Sequence, residues 1–269
     1  MIKLVAIDLD GTLFDAQKNI SDENMLAIKE ARKNGCYIVI ATGRPICGVL
    51  PTLKKLGLDT ENDYVITYNG AKVLSVGKNE LIFSTTITGK TVKELYFEAR
   101  RLGVFIHAFR KNEELITWKH NPYTDVEVKI NHIDAHEFDF EKIDDNEEFL
   151  KAMMVDSFDN ITKAMEGLDK KYYDLYNVVR SSKIFLEFLN KSTDKGNAII
   201  ALANYLGIDI AQTMAIGDAG NDLSMIIDAG IGVAMDNAFK EIKEKADFIT
   251  KSNEESGVAY AINKFVLNK

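Results

Sequence analysis

The sequence has little cysteine and no long apolar segment, and these two absences exclude several classes of protein. The 269 residues include two cysteines, Cys36 and Cys47, which are too few and too loosely spaced for a disulfide framework or a zinc site. Such usage is typical of a reducing compartment, so a cytoplasmic location is expected. The sequence contains no run of about 18 apolar residues, the length that a transmembrane helix needs. The N-terminus lacks a cleavage-site pattern, so no signal peptide is expected.

Positive charge is also scarce. The chain has 33 lysines and arginines against 41 aspartates and glutamates, and its net charge is −8. This surplus of negative charge argues against binding nucleic acid or an anionic membrane through bulk electrostatics. It leaves room for a small cationic pocket, and a small-molecule partner is therefore favoured.

The two ends of the chain alternate between strand and helix patterns. Residues 4–7 and 37–42 are continuous apolar runs, typical of parallel strands buried on both faces. Between them, Ser21 is placed to cap a helix that ends near Gly35. The same alternation returns after Lys195.

The middle of the chain has a different pattern. Between about residues 85 and 188 it predicts an antiparallel or mixed sheet with helices. The acidic stretch 136–149 is interpreted as a solvated connection, because runs of charge usually face water. We therefore predict an α/β fold in which residues 1–84 and 190–269 form a split parallel-sheet domain and residues 85–189 form an inserted α+β domain.

Polar residues follow the predicted core strands. Asp8 and Asp10 end the first strand, Thr42–Arg44 the second and Asp218 a later one, while Lys195 precedes a helix. Because the carboxyl ends of parallel strands meet at one edge of a sheet, we expect these side chains to converge.

Adjacent carboxylates raise one another's pKa unless a cation neutralises them. Mg²⁺ would do so for Asp8 and Asp218, because it prefers carboxylate, water and phosphate oxygens as ligands. With Lys195 it would balance most of the charge of a bound phosphate. Thr42 and the main-chain N–H groups around Leu9 and Gly43 could bind the remaining phosphate oxygens.

The Asp8–Asp10 pair suits covalent phosphoryl chemistry. Asp8, kept anionic by the metal, would attack phosphorus, and Asp10 would protonate the leaving oxygen and later take a proton from water. Gly11 permits the sharp turn between them and the following loop, which Thr12 could fix through its hydroxyl.

Four short stretches resemble the motifs of the haloacid dehalogenase superfamily and occur in its order: DLDGT at 8–12, ATGR at 41–44, Lys195-Gly196 and GDAGND at 217–222. The long insert resembles a type II cap, and residues 66–71 and 185–199 resemble the Cof-type branch, a group of sugar-phosphate and related phosphatases. The resemblance implies a Rossmann-like core, Mg²⁺ and an aspartyl-phosphate intermediate.

The resemblance also implies residue roles. Asp8 is the nucleophile and Asp10 the acid and base, while Thr42 and Lys195 bind the phosphoryl group. Asn221 contacts phosphate.

The implied metal site consists of Asp8, the main-chain carbonyl of Asp10, and Asp218. Asp222 is implied to lie next to these ligands and to hold them in position. Specificity is expected from the insert, where Arg110, Lys119, Tyr123 and Arg180 are candidates.

The sequence leaves two possible roles open for each of two residues, Arg44 and Asn69. Arg44 either binds substrate or pairs with a carboxylate, and Asn69 either shapes a turn or contacts substrate. The expected function is a Mg²⁺-dependent phosphatase acting on a small phosphorylated metabolite, with a sugar phosphate favoured, as a monomer or weak homodimer. A sugar-phosphate mutase and a regulator that binds a phospho-ligand without turnover are the alternatives.

Overall fold

The computed structural model describes all residues, 1–269, and confirms the α/β class. Contacts divide the chain into two compact units. The first comprises Met1–Gly43, Leu50–Ser84 and Asp194–Lys269, and the second comprises Arg44–Val49 and Thr85–Thr193. None of the helices has both the length and the apolar character needed to cross a bilayer.

Fifteen strands occur, and they are numbered here in chain order: β1 Leu4–Ile7, β2 Tyr37–Ala41, β3 Tyr64–Thr67, β4 Lys72–Ser75, β5 Glu80–Ser84, β6 Ile87–Thr88, β7 Phe105–Arg110, β8 Leu115–Thr117, β9 Ala135–Glu137, β10 Glu148–Val155, β11 Tyr176–Ser182, β12 Phe185–Asn190, β13 Thr213–Gly217, β14 Ile231–Ala234 and β15 Phe248–Ile249.

Ten α-helices accompany them: α1 Asp22–Lys33, α2 Ile46–Leu56, α3 Gly89–Leu102, α4 Pro122–Asn131, α5 Phe158–Gly167, α6 Lys170–Leu175, α7 Lys195–Leu206, α8 Leu223–Asp228, α9 Lys240–Lys243 and α10 Gly257–Ile262.

The first unit is built on an eight-stranded sheet in the order β15-β14-β13-β1-β2-β3-β4-β5. The strands from β15 to β3 are parallel, and β4 and β5 form an antiparallel hairpin next to β3. Every residue of β1 and β13 is buried. Continuous apolar strands of this kind are covered on both faces.

Helix α7 covers part of one face of this sheet. Its residues Ala198, Ile199 and Leu202 pack in one cluster with Leu4 and Val39 of the central strands. The strand register pairs Ile7 with both Ile216 and Ile40, so β1, β2 and β13 end at the same level. The residues that follow these three strands are thereby brought to one edge.

Local sequence signals agree with the observed boundaries of some helices and strands and not with those of others. Ser21 caps α1 as predicted, its hydroxyl accepting from the Asn24 N–H at 3.2 Å. The apolar strand β3 ends at Thr67. The chain then turns sharply, because Tyr68 and Asn69 adopt left-handed conformations with φ angles of 52° and 55° that end the strand.

The second unit contains the mixed sheet β11-β12-β10-β7-β8-β9, with β6 paired to β10. Helices α3 and α5 contribute Val92, Leu95 and Ile161 to a core shared with strand residues such as Ile106 and Phe188. Residues on these strands alternate between this core and the other face, as expected for antiparallel strands.

Helix α4 was missed by the sequence reading. It begins at Asn121, whose side chain accepts hydrogen bonds from the N–H groups of Tyr123 and Thr124, and Pro122 is its first residue. Both are standard helix-start signals. They were overlooked because the apolar repeat in α4 is weak.

Residues 136–149 connect β9 to β10 with most of their acidic side chains exposed, as expected of a solvated connection, but the segment also contains regular structure and buried aromatic residues. The stretch completes β9, forms a 3₁₀ turn at Phe140–Lys142 and enters β10 at Glu148. Acidic and aromatic residues alternate here, and Phe140 and Phe149 are fully buried. The aromatic side chains anchor the segment while the carboxylates face outward.

The turn after β3 depends on Gly70, which has a φ of 98°. A Cβ there would lie 2.1 Å from the main-chain oxygen of Asp194, whereas one at Gly35, with a φ of 82°, would meet nothing within 4 Å. We expect Gly70→Ala to lower the free energy of unfolding by more than about 3 kcal/mol, and Gly35→Ala by about 1 kcal/mol, since only the first adds a backbone clash to the conformational cost. Urea unfolding of both variants checks this, and equal losses would contradict it.

Candidate active site

The site is organised around a buried lysine. Lys195 is the first residue of α7, and Asp194 caps that helix by accepting from the Asn197 N–H. The Lys195 Nζ donates to Asp8 Oδ1 and to Asp222 Oδ1, each at 2.6 Å. Its side chain is 0% exposed. A buried ammonium group needs such paired carboxylates because an isolated charge is costly away from water.

Asp222 links this lysine to the loop after β13. Its Oδ2 accepts from the N–H groups of Asp218 and Ala219, both at 3.0 Å. Across the site, Thr12 Oγ1 donates to Asp218 Oδ1 at 2.8 Å. The Thr12 hydroxyl therefore fixes Asp218, a contact that links two distant motifs rather than only its own turn.

Three carboxylates share this edge of the sheet. One oxygen each from Asp8, Asp218 and Asp222 lies within 4.8 Å of the others. All the donors are carboxylate oxygens, which fits a hard divalent cation. Asp8 and Asp218 are the pair that the strand-end argument placed side by side, whereas Asp222 was expected here only from the family resemblance and Asp10 is not in the group. The cluster is the structural basis for expecting a metal.

Proximity and burial raise two of the pKa values. Burial raises the pKa of Asp8 to about 8, helped by the charges of Asp222 and Asp218 and opposed by Lys195. Burial also raises the pKa of Asp218 to about 6, opposed by the hydrogen bond from Thr12. Lys195, surrounded by carboxylates, has a pKa raised above its ordinary value by Asp222 and Asp8 despite its burial. In the absence of a cation the site therefore favours uptake of protons.

Asp10 is not a member of this three-carboxylate cluster, but it lies near enough for its charge to contribute to the raised pKa of Asp218. Its side chain is 44% exposed, and Oδ1 accepts from the Lys18 Nζ at 2.6 Å. Lys18 adopts a positive φ of 63°. The sequence did not suggest this pairing, because it depends on the fold of the loop between Asp10 and Lys18.

Gly11 allows the two motifs to approach closely. It has a φ of 92°, and a Cβ there would lie 2.4 Å from Asp218 Oδ2. Only glycine combines this backbone conformation with this proximity.

The candidate phosphate-binding groups lie in the same unit. Thr42 is buried directly after β2, and its N–H donates to the Ile66 carbonyl. The N–H groups of Leu9 and Gly43 make no hydrogen bond inside the chain. Asn221 Nδ2 donates to Asn69 Oδ1 at 3.1 Å. The left-handed conformation of Asn69 supports its interpretation as a turn residue.

The candidates in the insert have partners within the second unit. Arg110 pairs with Glu114 and Glu147, and Arg180 donates to the Thr162 hydroxyl and to main-chain carbonyls. The Tyr123 ring lies 6.3 Å from that of Phe105.

Two further residues complete the predicted set. The main-chain oxygen of Lys119 accepts from Thr117 and Asn121, so its backbone closes the turn before α4. Arg44 groups with the second unit, in the segment Arg44–Val49.

Comparison with known proteins identifies the family. A family model for haloacid dehalogenase-like hydrolases matches residues 5–262. The Streptococcus pyogenes protein M6_Spy0533, named as a candidate phosphatase, is 42% identical over 99% of both chains. The Bacillus subtilis protein YwtE, named 5-amino-6-(5-phospho-D-ribitylamino)uracil phosphatase, is 34% identical over 98% of both chains.

A solved structure extends the comparison to the fold. The subclass IIB sugar phosphatase BT4131 superposes with a TM-score of 0.81 and 26% sequence identity, covering 98% of each chain. The sequence match and the structural match thus both run along nearly the whole length. The chain belongs to the haloacid dehalogenase-like hydrolases, in their Cof-type branch.

Proposed function

We propose that the protein is a Mg²⁺-dependent phosphatase that hydrolyses small phosphorylated metabolites through an aspartyl-phosphate on Asp8. The observation that carries this proposal is the buried Lys195 held between Asp8 and Asp222, with Asp218 beside them. A phosphate monoester dianion needs both cationic groups and an anionic nucleophile, and this cluster supplies the nucleophile and one of the cations.

The second cation would be held by Asp8, Asp218 and the main-chain carbonyl of Asp10, with Asp222 supporting them. The all-oxygen donor set and the raised pKa values of Asp8 and Asp218 both fit this assignment. When bound, Mg²⁺ supplies positive charge that stabilises the transferring phosphoryl group and keeps the carboxylates ionised.

In the first step an Asp8 carboxylate oxygen attacks phosphorus, and the bond from phosphorus to the ester oxygen breaks. Asp10 donates its proton to that leaving oxygen, so the alcohol departs neutral. The Lys18–Asp10 ion pair favours ionised Asp10, and it is weakened or opened when Asp10 carries its proton. Such exposed pairs contribute only about 0–1 kcal/mol, so the opening is readily accessible.

In the second step Asp10 accepts a proton from water, and the resulting hydroxide attacks the phosphorus of the aspartyl-phosphate. The bond to Asp8 breaks, which releases inorganic phosphate and restores the carboxylate. Lys195, Thr42, Asn221 and the N–H groups of Leu9 and Gly43 hold the phosphoryl oxygens throughout.

The substrate class rests on relatives. YwtE is named for a phosphorylated ribityl compound, and BT4131 is titled a sugar phosphatase. We therefore propose a sugar phosphate or polyol phosphate as substrate. We assign residues 1–84 and 190–269 to the catalytic core and residues 85–189 to the family's type II cap, and we place substrate selection in that cap.

The nucleophile assignment is tested by phosphate release from a panel of phosphorylated metabolites, with Mg²⁺ and with EDTA. We expect Asp8→Asn to abolish release and Asp10→Asn to lower kcat by about 10²–10⁴-fold, because the first removes the nucleophile and the second the proton donor. The control Asp59→Asn, an exposed aspartate with no resolved contact, should retain full activity. Release that survives both Asp8→Asn and EDTA would overturn the proposal, and substrate consumed without phosphate release would indicate a mutase.

Metal binding should depend on pH. The raised pKa values of Asp8 and Asp218 mean that the folded protein, without metal, holds protons that the unfolded chain releases near pH 4. These groups thus lower stability as the pH rises from about 4 to about 8, and a bound cation reverses that loss. We expect MgCl₂ to raise the melting temperature more at about pH 8.5 than at about pH 5.5, relative to NaCl of equal ionic strength. Equal shifts at both pH values would contradict this linkage.

Lys195 should also be needed for stability. We expect Lys195→Met, in EDTA at about pH 8, to lower the free energy of unfolding by about 3–5 kcal/mol, because it leaves buried carboxylates without a cation. The loss should shrink at about pH 5, where those carboxylates can take up protons. Lys240→Met, which removes one partner of an exposed ion pair with Glu244, is the matched control and should change stability by less than about 1 kcal/mol. A Lys195→Met penalty that is independent of pH would contradict the electrostatic explanation.

A further inference from the structure

Two asparagines contact the loop that follows Asp10, and the proposed chemistry gives neither of them a role. Asn237 comes after β14 and Asn253 comes after β15. Strands β13, β14 and β15 are parallel, and their register aligns the last residue of each with the last residue of its neighbour. The segments that follow these strands therefore meet at the edge of the sheet where Asp218 lies.

Asn237 uses both ends of its side-chain amide. Its Nδ2 donates to the main-chain oxygen of Gly11 at 2.7 Å, and its Oδ1 accepts from the Asn253 N–H at 3.0 Å. Gly11 directly follows Asp10 and has a φ of 92°. Because glycine has more backbone freedom than any other residue, a hydrogen bond to its carbonyl fixes a peptide group that would otherwise be free to rotate.

The same loop is held at two further points. Asn253 Nδ2 donates to the main-chain oxygen of Phe14 at 2.9 Å, and Glu254 Oε1 accepts from the Ala16 N–H at 2.8 Å. Phe14 also pairs with Asp10 in a single β-bridge. Residues that follow β14 and β15 thus fix the main chain of the loop 11–16 at three places.

The side chain of Asp10 itself is weakly fixed. It is 44% exposed, and it pairs with Lys18, whose side chain is 59% exposed. Exposed ion pairs of this kind contribute little to holding a side chain in one geometry. By contrast, Asp8 is buried against the Lys195 ammonium group. The position of the Asp10 carboxyl group therefore depends mainly on the main chain that carries it.

We propose that Asn237 and Asn253 are positioning residues that act through Asp10. They fix the main chain after Asp10, so that its carboxyl group stays within hydrogen-bond reach of the leaving oxygen of the ester. Such reach is needed for proton transfer, and a displacement of about 1 Å can lower a rate by about a hundredfold. The inference rests on the role that the proposed function gives to Asp10, and it adds no contact with the substrate.

The experiment compares two aryl phosphates of similar shape, phenyl phosphate and p-nitrophenyl phosphate, in the presence of MgCl₂. The nitrophenolate leaves readily as an anion, whereas the more basic phenolate gains more from a proton donor. For each ester kcat/KM is measured, because it covers the steps up to loss of the alcohol and not the later hydrolysis of the aspartyl-phosphate. The ratio of the two kcat/KM values, phenyl over p-nitrophenyl, is independent of the fraction of folded protein, so a merely structural defect leaves it unchanged.

The variants should change this ratio in a definite order. We expect Asp10→Asn, which removes the proton donor, to lower it at least about tenfold. Asn237→Ala should lower it about three- to tenfold, and Asn253→Ala about two- to threefold, because only the first loses the bond to the residue next to Asp10. Asn34→Ala, the matched control, changes an exposed asparagine at the end of α1 and should leave the ratio unchanged.

Failure of this inference is distinguishable from failure of the proposed function. A ratio that Asp10→Asn lowers but Asn237→Ala leaves unchanged would overturn the inference alone, and Asn253→Ala decides the question if Asn237→Ala yields no folded protein. A ratio unchanged by Asp10→Asn would contradict the role of Asp10 itself, and the inference would fail with it. Hydrolysis of neither ester by the unmodified chain would count against the phosphatase proposal as a whole.

Discussion

The first unit depends on one buried ion cluster, in which the ammonium group of Lys195 bridges Asp8 and Asp222. Three carboxylates at the ends of two neighbouring strands would repel one another in an apolar setting, and the lysine is the charge that makes their burial tolerable. The surrounding elements hold the lysine and the carboxylates in position. Helix α7 delivers the lysine from its first residue, and Thr12 and the N–H groups of the 218–219 loop orient the acids.

The same cluster explains why its chemistry needs a further cation. One lysine cannot neutralise three carboxylates. Burial, and after it the repulsion between neighbouring carboxylates, raises the pKa values of Asp8 and Asp218. Protons correct the imbalance of charge in an acidic solution, and a divalent ion would correct it near neutral pH. An arriving phosphate ester adds more negative charge, so the proposed nucleophile and the proposed metal are two parts of one electrostatic requirement.

The features that could be predicted from sequence follow from simple geometry. Parallel strands bring their carboxyl ends to one edge, so short motifs far apart in sequence, such as those containing Asp8 and Asp218, could be placed together. The structural features that were not predicted from the sequence also have physical explanations. The Asp10–Lys18 pair depends on a loop conformation with a positive φ, which no local pattern specified. The charge pattern of the acidic stretch 136–149 correctly indicated exposed carboxylates, but it gave no signal for the 3₁₀ turn or for the burial of Phe140 and Phe149. Helix α4 was missed because its caps are clear but its apolar repeat is weak.

The strand order also has a consequence for how the chain is made. Strand β1 lies in the middle of its sheet, between β2, which follows within 40 residues, and β13, which begins at Thr213. During synthesis, one side of β1 therefore lacks its neighbour until β13, about 200 residues later in the chain, has been made. The strands of the second sheet, β6 to β12, are complete well before then. The first unit thus completes its sheet after the second unit, and until then β1, whose four residues are all buried in the folded unit, has one edge unpaired.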